Sequence, residues 1–244
     1  MLGESMSVII IGGGCFGTFY ARQLLRAREE GKCGFSRLLV IDKNKNCRAF
    51  REIRDSGVTF VSMDWEDYLH QYASESFHEG SLAVQEDVYI PSHWAPHLLR
   101  DMFLHRIQDD PGIPAVRVRK IEMENKIGTP YEVVLKNGDH AVSFATWECP
   151  PHCIEPIKCP HTKKERDWEM GDFLKDFFRG REENWFSFFC RHLANGVAGI
   201  PMKDIYAEYL RLKDVVKENK NCRLAIMTHS SCHGLVSLAE ISHG

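Results

Sequence analysis

The sequence predicts an α/β chain, with a doubly wound, mostly parallel sheet over residues 1–110 and an α+β extension over 111–244. Three observations predict it. An apolar run, Val8-Ile9-Ile10-Ile11, meets a glycine turn and then an amphipathic stretch, the pattern of a strand feeding a helix. Short apolar runs then alternate with helical patterns as far as Ile107, and parallel strands need such crossovers. Past Asp109-Asp110-Pro111-Gly112 the alternation gives way to hairpin signals and a cysteine-rich loop.

Glycines at 12, 14 and 17 have the G-x-G-x-x-G spacing between a strand and a helix, the setting of a Rossmann dinucleotide-binding turn. Gly12 is read as the tight turn, Gly14 as the point where backbone approaches a pyrophosphate, and Gly17 as a close helix–strand contact. The helix from Thr18 to about Arg28 aims its free N–H groups and positive dipole end at the phosphates. A second apolar run, Leu38-Leu39-Val40-Ile41, ends at Asp42. That carboxylate suits a ribose 2′-OH and repels a 2′-phosphate. The expected binding residues are Gly12, Gly13, Gly14, Cys15, Phe16, Gly17, Asp42 and Lys43. The expected ligand is NAD, with FAD as the alternative; the plain structural alternative is a glycine-rich turn that binds nothing.

The next segments continue the alternation: a helix over Lys45–Asp55, a third strand at Gly57–Val61, a helix over Trp65–Ala73 and a fourth strand at Asp87–Ile90. A helix from about Trp94 to Ile107 follows, with Leu98, Leu99, Met102, Phe103 and Ile107 on one face. His93 lies just past the fourth strand, at the edge where doubly wound sheets place substrate, and is the candidate catalytic acid or base. His97 follows it.

About the first 90 residues resemble the nucleotide-binding domain of potassium-uptake regulatory proteins, the TrkA-N or RCK type. The shared features are the Val-Ile-Ile-Ile-Gly-Gly-Gly opening, the Val40-Ile41-Asp42-Lys43 strand end, and Gly57-Val58-Thr59-Phe60-Val61 followed by Asp64. The resemblance implies adenine-nucleotide binding. It does not extend to potassium transport, because the remaining two thirds do not look like a regulatory C-terminal module.

In the extension, Val116–Met123 and Tyr131–Leu135 read as strands, and Asn137-Gly138 as a type I′ hairpin turn into a strand over Ala141–Trp147. An aromatic segment, Trp168–Leu193, reads as a helix whose stripe serves the core or a subunit interface, which allows a homo-oligomer. Asn195-Gly196 breaks it. A helix over Asp204–Glu218 and two short strands, Arg223–Thr228 and Leu235–Ile241, complete the chain. Between the hairpin and the aromatic segment lie Cys149, Cys153 and Cys159, spaced C-x3-C-x5-C, with Pro150 and Pro160 directly after two of them. Thiolates suit an Fe–S cluster or zinc, although neither the ferredoxin nor the zinc-ribbon spacing is present. Cys232, in the loop between the last two strands, is the expected fourth ligand, with His152, His161, His229 and His233 as alternatives. The competing reading is a rigid loop of free thiols or a redox-switchable disulfide.

Nine cysteines, an odd count without a visible secretory signal, point to metal or redox chemistry rather than a disulfide framework. A net charge of −3 argues against a nucleic-acid surface. No apolar run reaches the roughly 18 residues of a membrane span, so a cytoplasmic protein is expected. These readings converge on an NAD-binding oxidoreductase with a second, cysteine-held metal site, its small-molecule substrate or redox partner left open. The alternative is a nucleotide-binding module that senses redox state or metal without turnover. Because NADH gives a hydride and clusters carry single electrons, three forms stay open: FAD in the glycine site, zinc as a Lewis acid, or a structural cluster.

Overall fold

A computed structural model describes residues 6–92, 95, 97–150 and 153–244. In chain order the elements begin with β1 (Ser7–Ile11), α1 (Cys15–Glu29), β2 (Arg37–Ile41), α2 (Arg48–Glu52), β3 (Val58–Val61), α3 (Trp65–Ser76), α4 (Leu82–Glu86), β4 (Val88–Ile90) and α5 (Leu98–Gln108). There follow β5 (Val116–Ile121), β6 (Tyr131–Val134), β7 (His140–Ser143), α6 (Met170–Phe178), β8 (Glu183–Phe189), β9 (Arg191–Ala194), β10 (Val197–Pro201), α7 (Met202–Glu218), β11 (Asn221–His229) and β12 (His233–His243). Two compact units emerge. One holds the chain up to Met102 with Arg191–Ala207, the other Phe103–Cys190 with Glu208–Gly244.

The first unit carries a six-stranded sheet in the order β3-β2-β1-β4-β10-β9. β1, β2, β3 and β4 are parallel, joined through helices as the alternation requires. β10 then pairs antiparallel with β4, and β9 antiparallel with β10. All five residues of β1 are buried, and Tyr20, Ala21, Leu24 and Leu25 of α1 pack with Val8, Ile10, Leu38 and Val40 in one core. The second unit carries β6-β7-β12-β11-β8. Its long β12 takes β7 along His233–Val236 and β5 along Leu238–His243, while β8 runs parallel to β11.

The expected doubly wound, mostly parallel Rossmann sheet is therefore corrected: the chain builds two mixed sheets and, among the described residues, seven helices. The physical reason lies in residues 191–201. A hairpin, not a crossover helix, completes the first sheet, and a hairpin can only add strands antiparallel to one another. Asn195 and Gly196 both have positive φ, 45° and 80°, which a two-residue type I′ turn demands. That Asn-Gly pair closes a hairpin rather than breaking a helix. At the other pair only Gly138 is left-handed, so the expected I′ turn is replaced by a longer loop. There Leu135 N–H donates to the Asp139 carbonyl at 2.8 Å, and Asp139 N–H donates to Asn137 Oδ1.

The aromatic segment also departs from its expected helix. α6 ends before Gly180, which takes φ 76°. Beyond it the aromatics alternate: Phe186 and Phe188 are fully buried, and their rings lie 5.4 and 5.2 Å from that of Phe103. Period two makes this a strand.

A buried carboxylate anchors the second unit. Asp110, 4% exposed at its side chain, pairs with Lys213 at 2.8 Å and accepts hydrogen bonds from the Tyr209 hydroxyl and Gly112 N–H. Burial pushes its carboxyl up, but Lys213, Tyr209 and Gly112 outweigh burial and hold it at about 2. The folded value lies below the unfolded one, so this stability is fully present above about pH 4 and lost as pH falls toward 2. Asp110→Asn is expected to flatten the acid limb of the stability curve by about 2 kcal/mol, read by urea unfolding at pH 2.5 and pH 6. An unchanged acid limb would refute the assignment.

Candidate functional site

In the second unit, Phe144 N–H donates to the Cys232 carbonyl at 3.0 Å, extending the β7–β12 pairing into the turn before β12. The cysteine loop then folds beside that turn. Cys153 N–H donates to the Pro150 carbonyl at 2.9 Å. Cys159 closes a tight turn, its N–H donating to the Lys164 carbonyl and its own carbonyl accepting from Lys163 N–H, both at 2.9 Å. Arg166 N–H donates to the Ile157 carbonyl, and Met170 N–H to the Ser231 carbonyl. Backbone bonds thus tie both ends of the loop to the β11–β12 turn.

Glu155 fastens the middle. Its carboxylate accepts from Ser230 Oγ at 2.7 Å, Ser231 N–H at 2.7 Å and Cys232 N–H at 3.2 Å, while its backbone takes φ 50°. Sequence reasoning missed this residue, since a single acid in a cysteine loop has no pattern of its own. Glu155→Ala strands three donors that the fold has partly removed from water. It is expected to cost about 2 kcal/mol, seen as a lower denaturation midpoint, and to loosen the turn, seen as faster amide exchange at Ser231 and Cys232. Wild-type exchange at both amides would count against this role.

Cys149, Cys153, Cys159 and Cys232 come together on one narrow cleft of about 20 Å³, lined also by Trp147, His161 and Arg166. All nine cysteines are free thiols. Burial pushes the Cys149 thiol up, and neighbouring Cys153 and Cys159 push it further. Burial also raises Cys232, to about 11, against the Trp168 indole N–H that donates to its Sγ at 3.3 Å. The backbone N–H of Thr162 leads the groups that hold Cys159 below the usual thiol range. Glu155 N–H donates to Cys153 Sγ at 3.4 Å. The side chains of Trp147 and Arg166, both on the cleft, act against burial and hold the thiols of Cys149 and Cys232 down. The arrangement offers soft ligands and N–H groups directed at sulfur, a donor set that fits a thiolate-bound metal.

Of the histidine alternatives, His161 lies on the cleft, stacked on Trp147 with ring centroids 4.7 Å apart. His229 bonds Ser187 Oγ and the Ser230 carbonyl, and His233 bonds Ser143 Oγ. His152 lies outside the described residues, as does His93, the candidate catalytic residue.

In the first unit the glycine loop links β1 to α1. Gly12 has φ 91°, and a Cβ on Gly17 would sit 1.7 Å from the Gly12 carbonyl oxygen. Gly14 and Cys15 are exposed, whereas Phe16 packs against the core. Arg48 donates to Cys15 Sγ at 2.9 Å. Asp42 accepts from Gly13 N–H at 2.7 Å through one oxygen and from Asn44 N–H at 2.8 Å through the other. The acid therefore already braces the loop, and each oxygen keeps a second lone-pair site for a ligand. Asp42 also lines a cavity of about 410 Å³ with Asn44, Asn46, Phe50, Phe60 and Ser62, a size suited to a small-molecule ligand. Lys43 is exposed. A further group missed in the sequence is Glu66, His97 and Asp101, whose ligand atoms lie within 4.8 Å of one another. The four-residue spacing of His97 and Asp101 was the available signal, but Asp101 is already paired with Arg100 at 2.6 Å.

Residues 95–242, more than half of the chain, match the family model AF_1314_C, described as "Uncharacterized protein, C-terminal domain". The chain belongs to the AF_1314_C family. All four cleft cysteines lie inside the span matched by the AF_1314_C model, and the glycine loop lies before it. No curated protein and no solved structure matches this AF_1314_C chain. Among the described residues, no helix is long and apolar enough to cross a membrane.

Proposed function

We propose that this chain is a redox protein that holds a thiolate-bound metal centre on Cys149, Cys153, Cys159 and Cys232 and binds an adenine dinucleotide at Gly12–Gly17 and Asp42. The observation that carries the reading is the meeting of four cysteines from two distant segments on one cleft whose N–H groups are directed at sulfur. Ordinary packing gives no reason to gather four thiols there. The centre is an Fe–S cluster or zinc. The nucleotide is NAD, or FAD, which would join two-electron to one-electron chemistry. The chain works in the cytoplasm, where thiols stay reduced. Anaerobic purification followed by iron, zinc and sulfide analysis tests the metal half. Metal at stoichiometric levels supports it, and metal-free protein after loading with iron and sulfide or with zinc overturns it.

For the nucleotide half, Asp42→Ala is expected to weaken NAD or FAD binding at least tenfold in calorimetry, about 1.4 kcal/mol or more. No binding of either nucleotide by the wild type would overturn it. A second reading, regulation without turnover, draws on the unequal thiols: Cys159 is held low while Cys149 and Cys232 are held high, so one thiol leads in oxidation. It expects metal loading to change nucleotide affinity and no NADH oxidation with quinone or dye acceptors.

A further inference from the structure

We infer that Ser187 and His229 form a nucleophile–base pair, and that the second unit uses it to hydrolyse small esters with an apolar acyl group. Both residues belong to that unit. The inference stands apart from the metal and nucleotide readings, since it uses neither the cysteine cleft nor the glycine loop.

The strands make the pair. β8 and β11 run parallel, with Ser187 level with Met227 and Phe189 level with His229. Side chains along β8 alternate, so Trp185, Ser187 and Phe189 share the face opposite buried Phe186 and Phe188. β8 is the last strand of its sheet. Ser187 is half-buried there, and Phe189 is exposed. His229 is buried, and its Nε2 lies 2.9 Å from Ser187 Oγ.

Two contacts fix the imidazole. Its Nδ1 lies 3.0 Å from the Ser230 carbonyl oxygen, which only accepts. Nδ1 therefore carries the proton of the neutral ring, and Nε2 accepts from the Ser187 hydroxyl. Gly171 of α6 packs on the ring: a Cβ there would fall 2.5 Å from Cε1 and 3.1 Å from Nε2. Burial holds the ring below the usual imidazole range, and Lys175 acts the same way, against the Ser230 carbonyl, Glu169 and Glu155. A hydroxyl within hydrogen-bond reach of a base that a third group orients is the arrangement of an activated nucleophile. Glu169, the N-cap of α6, makes no capping hydrogen bond through its side chain. The helix thus begins beside the pair with first-turn N–H groups suited to a developing oxyanion.

The chemistry balances without a co-reactant other than water. Ser187 Oγ attacks the ester carbonyl carbon while its proton passes to His229 Nε2. The C–O bond to the alcohol breaks, and the leaving oxygen takes that proton. Water then attacks the acyl-serine and gives a proton to Nε2. That proton returns to Ser187 Oγ as the acid departs. Trp185 and Phe189 flank Ser187 on its own face and favour a short apolar acyl group.

The test incubates the full chain with a fluorophosphonate, which labels activated serines, and maps the adduct by peptide mass. The expected result is an adduct on Ser187 whose formation slows on acidification, as His229 takes a proton. His229→Gln is expected to slow labelling about a hundredfold. Free thiols also cleave p-nitrophenyl acetate, so the informative rate is the part of that hydrolysis that the phosphonate blocks. That part is expected to vanish in Ser187→Ala. No adduct on Ser187 of the wild type overturns the inference, and this outcome needs no variant to fold. Labelling of His229→Gln at the wild-type rate, or phosphonate-sensitive hydrolysis that persists in Ser187→Ala, overturns it as well.

Discussion

Replacing Cys232 with serine is expected to abolish tight metal binding and bring the melting temperature of the loaded protein down to that of the metal-free form. Cys149, Cys153 and Cys159 share one short loop, whereas Cys232 arrives from the turn between β11 and β12. A bond through the metal to Cys232 therefore closes a long stretch of chain, the kind of cross-link that most restricts an unfolded ensemble. Metal that binds only the folded state at a thousandfold over its dissociation constant adds about 4 kcal/mol. Serine keeps the shape but is a poor ligand for soft metals. The checks are metal content and melting with and without chelator. Cys33→Ser serves as the control, since Cys33 belongs to the other unit. A Cys232→Ser protein that binds metal and melts like wild type would remove Cys232 from the ligand set.

Loaded protein should also release protons on binding. Burial holds Cys149 and Cys232 above the usual thiol range when no metal is present, and a thiol must lose its proton to ligate. Affinity is therefore expected to fall steeply as pH is lowered below neutrality. Zinc competition titrations at pH 6 and pH 8 read that slope.

What the sequence disclosed, and what it concealed, follows from how local each signal is. The glycine spacing, Asp42 and the cysteine loop are short-range patterns, and each marks residues that lie together in the fold. The mixed sheet was concealed because β9 and β10 lie a hundred residues beyond β4, which they extend. No periodicity within residues 1–110 announces strands that come from 191–201. The aromatic segment misled for another reason. Phe173, Phe177 and Phe178 keep helical spacing, and Phe186 and Phe188 keep strand spacing, so a single window over 168–193 averages two periods. Gly180 was the boundary between them. Glu155 was illegible at any range, since it acquires its role from backbone placed by another segment.

Gly17→Ala is expected to meet backbone more closely than alanine at the other described glycines, and to destabilise the chain strongly. The new Cβ would fall 1.7 Å from the Gly12 carbonyl oxygen and 2.9 Å from its carbon, both backbone atoms that no side-chain rotation can move. Relief requires α1 to lift from β1. That would part Tyr20, Ala21, Leu24 and Leu25 from Val8 and Ile10 in the core. Overpacking of this kind costs about 3 kcal/mol or more where the neighbour is rigid, enough to unfold a marginal unit. Gly14→Ala separates folding from binding. Its φ of −76° suits any residue, and a Cβ there meets nothing within 4 Å. Alanine is a somewhat poorer N-cap than glycine, by under about 1 kcal/mol, so the protein is expected to fold with a melting temperature near wild type. If the exposed face of Gly14 is where a pyrophosphate approaches, the same methyl will lower nucleotide affinity at least tenfold. Calorimetry with NAD and FAD on a well-folded Gly14→Ala protein reads this directly. Unchanged affinity would mean that Gly14 serves only as the cap of α1 and that the phosphates do not rest on this loop.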